Sequence, residues 1–156
     1  MERQTQSTSI IQTAERYLGL PYKYGAYRDA DTVTEPEGFD CSFFTHWIYK
    51  KALGITLPLS SLEQASVAFR NNKEIAEPSA ASTGDLIFFR GDQGHYNDNL
   101  FDNKKDVYIG HVGIYLAETA EVIHAQSKMG VIKEKLSDLQ TRNPKAYQIT
   151  FIGNYY

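Results

Sequence analysis

The chain has 156 residues and a net charge of −3, with 42% hydrophobic and 22% charged residues. This length and composition are typical of a globular protein and predict a single domain over residues 1–156. The slightly acidic balance gives no general attraction for phosphate backbones or anionic lipid, so nucleic acid and membranes are not expected partners.

The opening residues, MERQTQSTSI, lack the apolar stretch of a secretory signal. No apolar run approaches the roughly 20 residues that a membrane helix needs. We therefore expect a protein that is cytoplasmic, delivered by a non-classical route, or secreted and trimmed. The chain has one cysteine, which excludes an internal disulfide and leaves the compartment undecided.

A first helix is predicted where Ile10, Ala14 and Leu18 recur at helical spacing, with a serine or threonine of residues 7–9 as its N-cap. Proline and glycine end this pattern, and the polar, turn-rich residues 26–39 predict a loop.

A second helix is predicted to begin near Asp40, whose carboxylate can accept amide hydrogens of the first turn, and to stop at Gly54. A third helix is expected over residues 61–71, with Leu62, Ala65 and Phe69 on one side.

The second half of the chain changes to short runs of strand length. These runs occupy residues 85–90, 110–116, 122–125, 131–135 and 147–152. The polar segment 91–106 between the first two runs predicts an irregular loop. Helices followed by strands predict an α+β fold, with N-terminal helices packed on a mostly antiparallel sheet of about five strands.

Cys41 is the first candidate for chemistry. A lone cysteine is most often a small buried hydrophobe, but this one follows a predicted N-cap and so opens a helix. The helix dipole and free amide hydrogens there favour a thiolate. The backbone amides of Cys41 and Ser42 are candidates to hold a developing oxyanion.

A nucleophilic thiol needs a base, and four histidines are available. His46 lies five residues after Cys41 on the same helix and points elsewhere, so a surface or partly buried role is expected. His95 falls in the polar loop, where a solvated side chain is the default. His111 and His124 lie on neighbouring predicted strands and meet if those strands form a hairpin. The spacing leaves two alternatives open. The histidines form either a structural pair or a catalytic pair, in which one is the base and the other orients it.

The ordered strings GLPYKYGA, GFDCS, LGITLP with SSLEQA, GDLIFF, IGHVGIYL and VIHA resemble the NlpC-type (NlpC/p60) family of papain-like cell-wall cysteine peptidases. The resemblance runs from about residue 10 to about residue 136. It implies an enzyme that cleaves peptidoglycan stem peptides between γ-D-glutamate and diaminopimelate or lysine, without a metal or other cofactor.

By matching motif positions, the resemblance implies Cys41 as nucleophile, His111 as base and His124 as the third polar residue. It implies that Tyr22, with Tyr24 as the alternative, lines the site near the thiol. Asp40 and Ser42 in relatives help to bind the substrate's free amine. The implied mechanism predicts a thiolate–imidazolium pair and a bell-shaped pH dependence of activity.

Three departures from the family pattern bear on the substrate. Phe43 stands where relatives have glycine, which predicts altered helix packing or a narrowed pocket. Leu59 stands where relatives often have arginine, and the loop 91–106 is long enough to cover a groove.

Two other functions are compatible with these residues. One is a thiol amidase or acyltransferase acting on a substrate other than peptidoglycan, and the other is a non-catalytic module of a phage or secretion assembly. A toxin role, with a cognate inhibitor protein as partner, and a recycling role both fit the small leaderless form.

Overall fold

The computed structural model describes residues 2–103 and 107–156, and it contains four α-helices and one sheet of five strands. The helices are α1 (Arg3–Glu15), α2 (Cys41–Leu53), α3 (Ser61–Arg70) and α4 (Leu136–Arg142). The strands are β1 (Leu86–Phe89), β2 (His111–Leu116), β3 (Glu121–Gln126), β4 (Gly130–Lys135) and β5 (Ile149–Gly153). This arrangement confirms the predicted α+β class.

Every pair of neighbouring strands in the sheet is antiparallel, in the order β4-β3-β2-β1-β5. Because side chains alternate along a strand, each strand contributes to two hydrophobic layers. On one face, the larger core joins strand residues such as Val112 and Ile114 to helix residues such as Phe44 and Ile48. On the other face, a smaller cluster includes Leu136 and other apolar side chains. The N-terminal helices therefore cover one face, and α4 packs against the other.

Helix α2 begins where its sequence predicts. The Asp40 carboxylate accepts the backbone N–H of Phe43 at 2.8 Å, and this bond satisfies a first-turn amide that has no partner within the helix. The helix ends at Gly54, whose φ of 69° is a left-handed conformation that glycine adopts without steric cost. Cys41 is consequently fixed as the first residue of a buried helix.

Two helical predictions need correction. Helix α1 starts at Arg3, after Glu2, and Glu2 makes no side-chain capping bond, so the predicted cap among residues 7–9 is wrong. Ser7, for example, instead bonds Tyr156 from within the helix. The sequence analysis also missed α4 altogether. Its seven residues are too few for a clear helical period, and its buried side chains, Leu136 and Leu139, pack on the sheet.

The loops around the helices have more structure than their sequences predict. Segment 26–39 contains a 3₁₀ turn, Ala26–Asp29. The long loop after β1 contains another at Asp98–Phe101, and the fully buried Phe101 ring packs on Phe69 and Phe151. That loop is therefore anchored to the core at its middle, while its residues 104–106 lie outside the described part of the chain.

Within residues 2–103 and 107–156, no helix combines the length and apolarity required to cross a bilayer. Over the same residues, no three histidine, cysteine or acidic side chains are grouped so as to hold a metal ion.

A buried polar contact ties the start of β1 to the end of β5. The Asp85 carboxylate is fully buried and accepts hydrogen bonds from the Asn154 amide at 2.7 Å and the Ser82 backbone N–H at 2.8 Å. If one of these donors is removed, the free-energy cost of burying the carboxylate away from water is no longer fully offset by hydrogen bonds.

We therefore expect Asn154→Ala to lower the free energy of unfolding by about 2 kcal/mol. Asn154→Asp should lower it further, because it sets a second carboxylate against Asp85. Urea denaturation of the two variants and the native chain measures both effects. Unchanged midpoints in both variants, or a more stable aspartate variant, would contradict this account.

Candidate active site

Cys41 lies at the N-terminus of α2, where the helix meets β2. It is a free cysteine, partly exposed in a groove. The backbone N–H groups of Val112 in β2 and of the first-turn residues Ser42 and Cys41 act on the sulfur and lower the pKa of the thiol. Amide dipoles therefore converge on the sulfur from both elements. The same first-turn amides are well placed to receive an oxyanion that forms next to it.

His111 is the first residue of β2, directly before the strand residue that contacts the Cys41 sulfur. Its Nε2 lies 2.7 Å from Nδ1 of His124 on β3, and the two rings meet edge to face at a centroid distance of 5.0 Å. His124 is fully buried, whereas His111 is partly exposed to the groove. The β2–β3 hairpin thus brings together the two histidines that the sequence singles out.

Gly113 makes this pairing of rings sterically feasible. A Cβ at that position would lie 2.5 Å from Cγ1 of Val122 and 3.1 Å from Cβ of His124. The space beside Gly113 is therefore taken by the neighbouring strand, His124 included. A glycine at this position therefore leaves no room for a substrate or a helix terminus.

The surroundings of the two reactive groups favour their uncharged forms. Both residues have some surface in the groove, yet protein atoms enclose the sulfur and the imidazole. Burial raises the pKa of the Cys41 thiol to about 12, with the Asp40 charge adding to the rise and the amides opposing it. Burial also lowers the pKa of His111 well below its ordinary value, and His124 contributes to that fall. The resting site thus favours a thiol beside a neutral imidazole over the ion pair that the sequence analysis predicted.

The groove around Cys41 has two lobes. The helix-side lobe, of about 450 Å³, runs over α2 and α3 past Ser42, Leu59 and Glu63. The strand-side lobe, of about 600 Å³, contains His111 and extends to Asp92 and other polar residues. Residues shared by both lobes form the centre of the groove: Tyr22, Tyr24, Cys41, His95 and Gly110.

A third cavity, of about 640 Å³, lies between α1 and the turn joining β2 to β3. Neither Cys41 nor His111 lines it, so it is separate from the groove described above.

The three predicted substrate-binding residues, Tyr22, Asp40 and Ser42, all line the helix-side lobe. They differ in burial and in their hydrogen bonds. Tyr22 is half-buried, and burial raises its pKa to about 12, so its hydroxyl stays protonated and can donate a hydrogen bond. The alternative, Tyr24, is 82% exposed at the rim. Asp40 is buried and occupied in capping α2, and it also receives the Ser42 hydroxyl at 3.4 Å. Asp40 therefore organises the helix start in addition to facing the groove.

The remaining sequence candidates are placed as follows. His46 is buried, more so than expected, and its Nδ1–H donates to the Leu57 carbonyl at 2.6 Å. His95 is exposed, as predicted, and lines the groove. Phe43 is buried in the core against Phe39 and Trp47, so its ring fills the interior and does not narrow the groove.

Sequence reasoning missed three side chains next to the histidine pair. Tyr147 presents its ring to His111 and His124, at centroid distances of 5.9 and 6.2 Å. Glu134 on β4 contacts His124 Nε2 at 2.8 Å and is held in turn by Arg142 of α4. The sequence did show an acidic residue, Glu134, in the strand predicted after that of His124. Whether its side chain shares a sheet face with His124 depends on the strand register, which the sequence left open.

The chain thus places a thiol at a buried helix start beside an antiparallel sheet that carries a histidine pair, and its architecture is that of a papain-like α+β fold. The NlpC/P60 family model matches residues 19–151, and the chain belongs to that family. The resemblance inferred from the sequence motifs is thereby confirmed.

Characterised relatives share this region. A γ-D-glutamyl-L-lysine dipeptidyl-peptidase of Bacillus cereus is 37% identical over 116 residues, which is 74% of this chain and 27% of that protein. A γ-DL-glutamyl hydrolase of Bacillus subtilis is 32% identical over 111 residues, 71% of this chain and 21% of that protein. The chain thus spans about a quarter of the length of these relatives or less.

Among solved structures, the NlpC/p60 domain of the peptidoglycan hydrolase SagA aligns with a TM-score of 0.65 and 25% identity. That alignment covers 96% of this chain and 98% of the SagA domain. The family fold therefore extends over nearly the whole chain.

Gly113→Ala tests the steric basis of the histidine pair. The added methyl group would overlap Val122, so we expect a loss of about 1–3 kcal/mol in the free energy of unfolding. In the double variant with Val122→Ala, the clashing atom is gone, and the combined loss should be smaller than the sum of the single losses. Chemical denaturation of all four proteins gives this comparison. Strictly additive losses would rule out the Val122 contact as the cause.

Proposed function

We propose that this chain is a cysteine endopeptidase that hydrolyses peptidoglycan stem peptides at the bond between γ-D-glutamate and diaminopimelate or lysine. The observation that carries the proposal is that Cys41 and His111 line one groove, with His124 buried behind His111 and hydrogen-bonded to it. The names of the B. cereus relative and of SagA support this substrate class. In this proposal residues 1–156 act as one NlpC-type domain.

Acylation would start with the thiol proton moving to His111 as the sulfur of Cys41 attacks the scissile carbonyl. The S–C bond forms, and negative charge develops on the carbonyl oxygen near the first-turn amides of α2. His111 then donates its proton to the leaving amine, the C–N bond breaks, and the acyl-enzyme remains.

Deacylation would repeat these steps with water. His111 removes a proton from water, the hydroxyl attacks the thioester carbonyl, and the S–C bond breaks as the proton returns to the sulfur. His124 acts through its hydrogen bond to His111 and holds the ring in place. The scheme consumes one water and restores the thiol, so this chain's own side chains suffice for the proton transfers.

The charge of the groove supports a substrate with a free amine. Asp40, Glu63 and Asp92 line the two lobes, and no lysine or arginine is among the described residues that do so. Such a surface attracts an ammonium group and repels a polyanion. A stem peptide with a free amino group therefore fits this groove better than a polyanionic chain.

Leu59 supports a second candidate function. It lines the helix-side lobe at a position where the family pattern often has arginine, so that part of the groove offers apolar surface. A thiol amidase or acyltransferase with a more apolar acyl substrate is the corresponding alternative. Labelling of Cys41 by a thiol-directed activity probe, with muropeptides left uncut, would favour it.

Cys41→Ala should abolish cleavage of purified muropeptides, with a loss of roughly 10³-fold or more, because no other described group is placed to form the acyl-enzyme. Mass analysis of the products measures the rate and identifies the bond. Cys41→Ser is the matched variant, since it replaces the thiol by a hydroxyl of similar size that is a weaker nucleophile. Native-rate cleavage by the alanine variant, at an unchanged melting temperature, would exclude the proposal.

A pH titration tests the resting protonation state. Because burial raises the thiol pKa and lowers that of His111, the pair should stay uncharged from mild acid to mild alkali. The ultraviolet thiolate absorbance, taken as native minus Cys41→Ser, should then be absent over this range and appear only towards about pH 12.

Activity should fall in acid, with a midpoint below 6.5, the ordinary pKa of histidine, as His111 gains a proton. A thiolate signal already present in mild acid would establish the ion pair instead. That result would contradict the effect of burial described above.

A further inference from the structure

The histidine pair continues into a third and a fourth side chain. Oε2 of Glu134 lies 2.8 Å from Nε2 of His124, on the opposite side of that ring from His111. Arg142 binds the same carboxylate with both terminal nitrogens, at 2.7 Å to Oε1 and 3.3 Å to Oε2. A continuous path of hydrogen bonds therefore leads from the groove through two imidazoles to a carboxylate held by a guanidinium.

The carboxylate determines the direction of each hydrogen bond in this path. An ionised carboxylate only accepts, so His124 must donate from Nε2. In neutral His124 the other nitrogen, Nδ1, is then an acceptor, and it must receive the N–H of His111 Nε2. Nδ1 of His111 is thereby left unprotonated. It is the nitrogen that can take the thiol proton.

Arg142 keeps the carboxylate ionised and oriented. Its two-pronged contact is the geometry in which arginine and carboxylate pair most strongly. The hydrogen bond from His124, followed by that from Arg142, lowers the pKa of Glu134 to about 2. The charged and titratable groups facing Glu134 are thus His124 of β3 and Arg142 of α4. The Tyr147 ring lies against both of them.

We propose that Glu134, clamped by Arg142, is a positioning residue that fixes the tautomers of His124 and His111 so that His111 presents an unprotonated Nδ1 to Cys41. The proposal deepens the function proposed above and rests on it for the role of His111 as base. In this proposal α4 contributes to the site, because this short helix places Arg142 against Glu134.

Glu134→Gln is the discriminating variant. The new amide can donate to His124 Nε2, which reverses the direction of both histidine hydrogen bonds and places a proton on Nδ1 of His111. We expect kcat on muropeptides to fall about 10²-fold or more, with KM near its native value. Alkylation of Cys41 by a small neutral reagent should slow in parallel. Glu118→Gln, the same chemical change at an exposed turn, is the control and should leave both rates unchanged.

Nitrogen NMR of the histidine rings reads the tautomers directly and requires no substrate. In the native chain His124 should carry its proton on Nε2, and in Glu134→Gln on Nδ1. A second variant, Arg142→Lys, keeps the positive charge but loses the two-pronged contact, and it should give an intermediate loss of rate.

The outcomes separate the two proposals. If Glu134→Gln shows the expected tautomer shift and slower alkylation while the native chain leaves muropeptides uncut, the positioning role is supported and the proposed substrate is rejected. Native tautomers and native rates in a folded Glu134→Gln variant would overturn the positioning role while leaving the peptidase proposal intact.

Discussion

The antiparallel register of β2 and β3 is the constraint on which the candidate site depends. Ile114 lies opposite Ile123, and this register sets Gly113 beside His124 and brings the ring of His111 to it. A slip of one residue would turn His124 to the other face of the sheet. The same alternation on β4 places Glu134 opposite Val122, on the face that carries the histidines. Two adjoining registers thus place three polar side chains from three strands on one face of the sheet.

The site combines this rigid sheet with a helix start that faces it. Asp40 caps α2 by accepting the Phe43 amide, and the remaining first-turn amides are directed at the Cys41 sulfur. Burial around the sulfur raises the pKa of the thiol more strongly than the amides lower it, so the surroundings favour the uncharged thiol. Behind His124 lies a pair of opposite charges, Glu134 and Arg142, which compensate each other.

The residues that differ from the common family pattern lie partly in the core and partly in the groove. Phe43 affects the core under the loop that precedes α2, and Leu59 changes the groove surface itself. The long loop after β1 contributes Asp92 and His95 to the groove and is fixed to the core by Phe101. Of these features, Leu59, Asp92 and His95 are therefore the ones that form groove surface.

The sequence by itself determined the fold class, the start and end of α2, the five strands, and the candidacy of Cys41, His111 and His124. These features depend on local signals, namely a cap, a period and a glycine stop, together with a set of ordered motifs. Only the tertiary structure decided the direction of Phe43, the burial of His46, the burial of the reactive thiol and imidazole, and the link from His124 to Glu134 and Arg142. Each of these depends on packing or distance between residues far apart in the chain, and local periodicity carries no information about either.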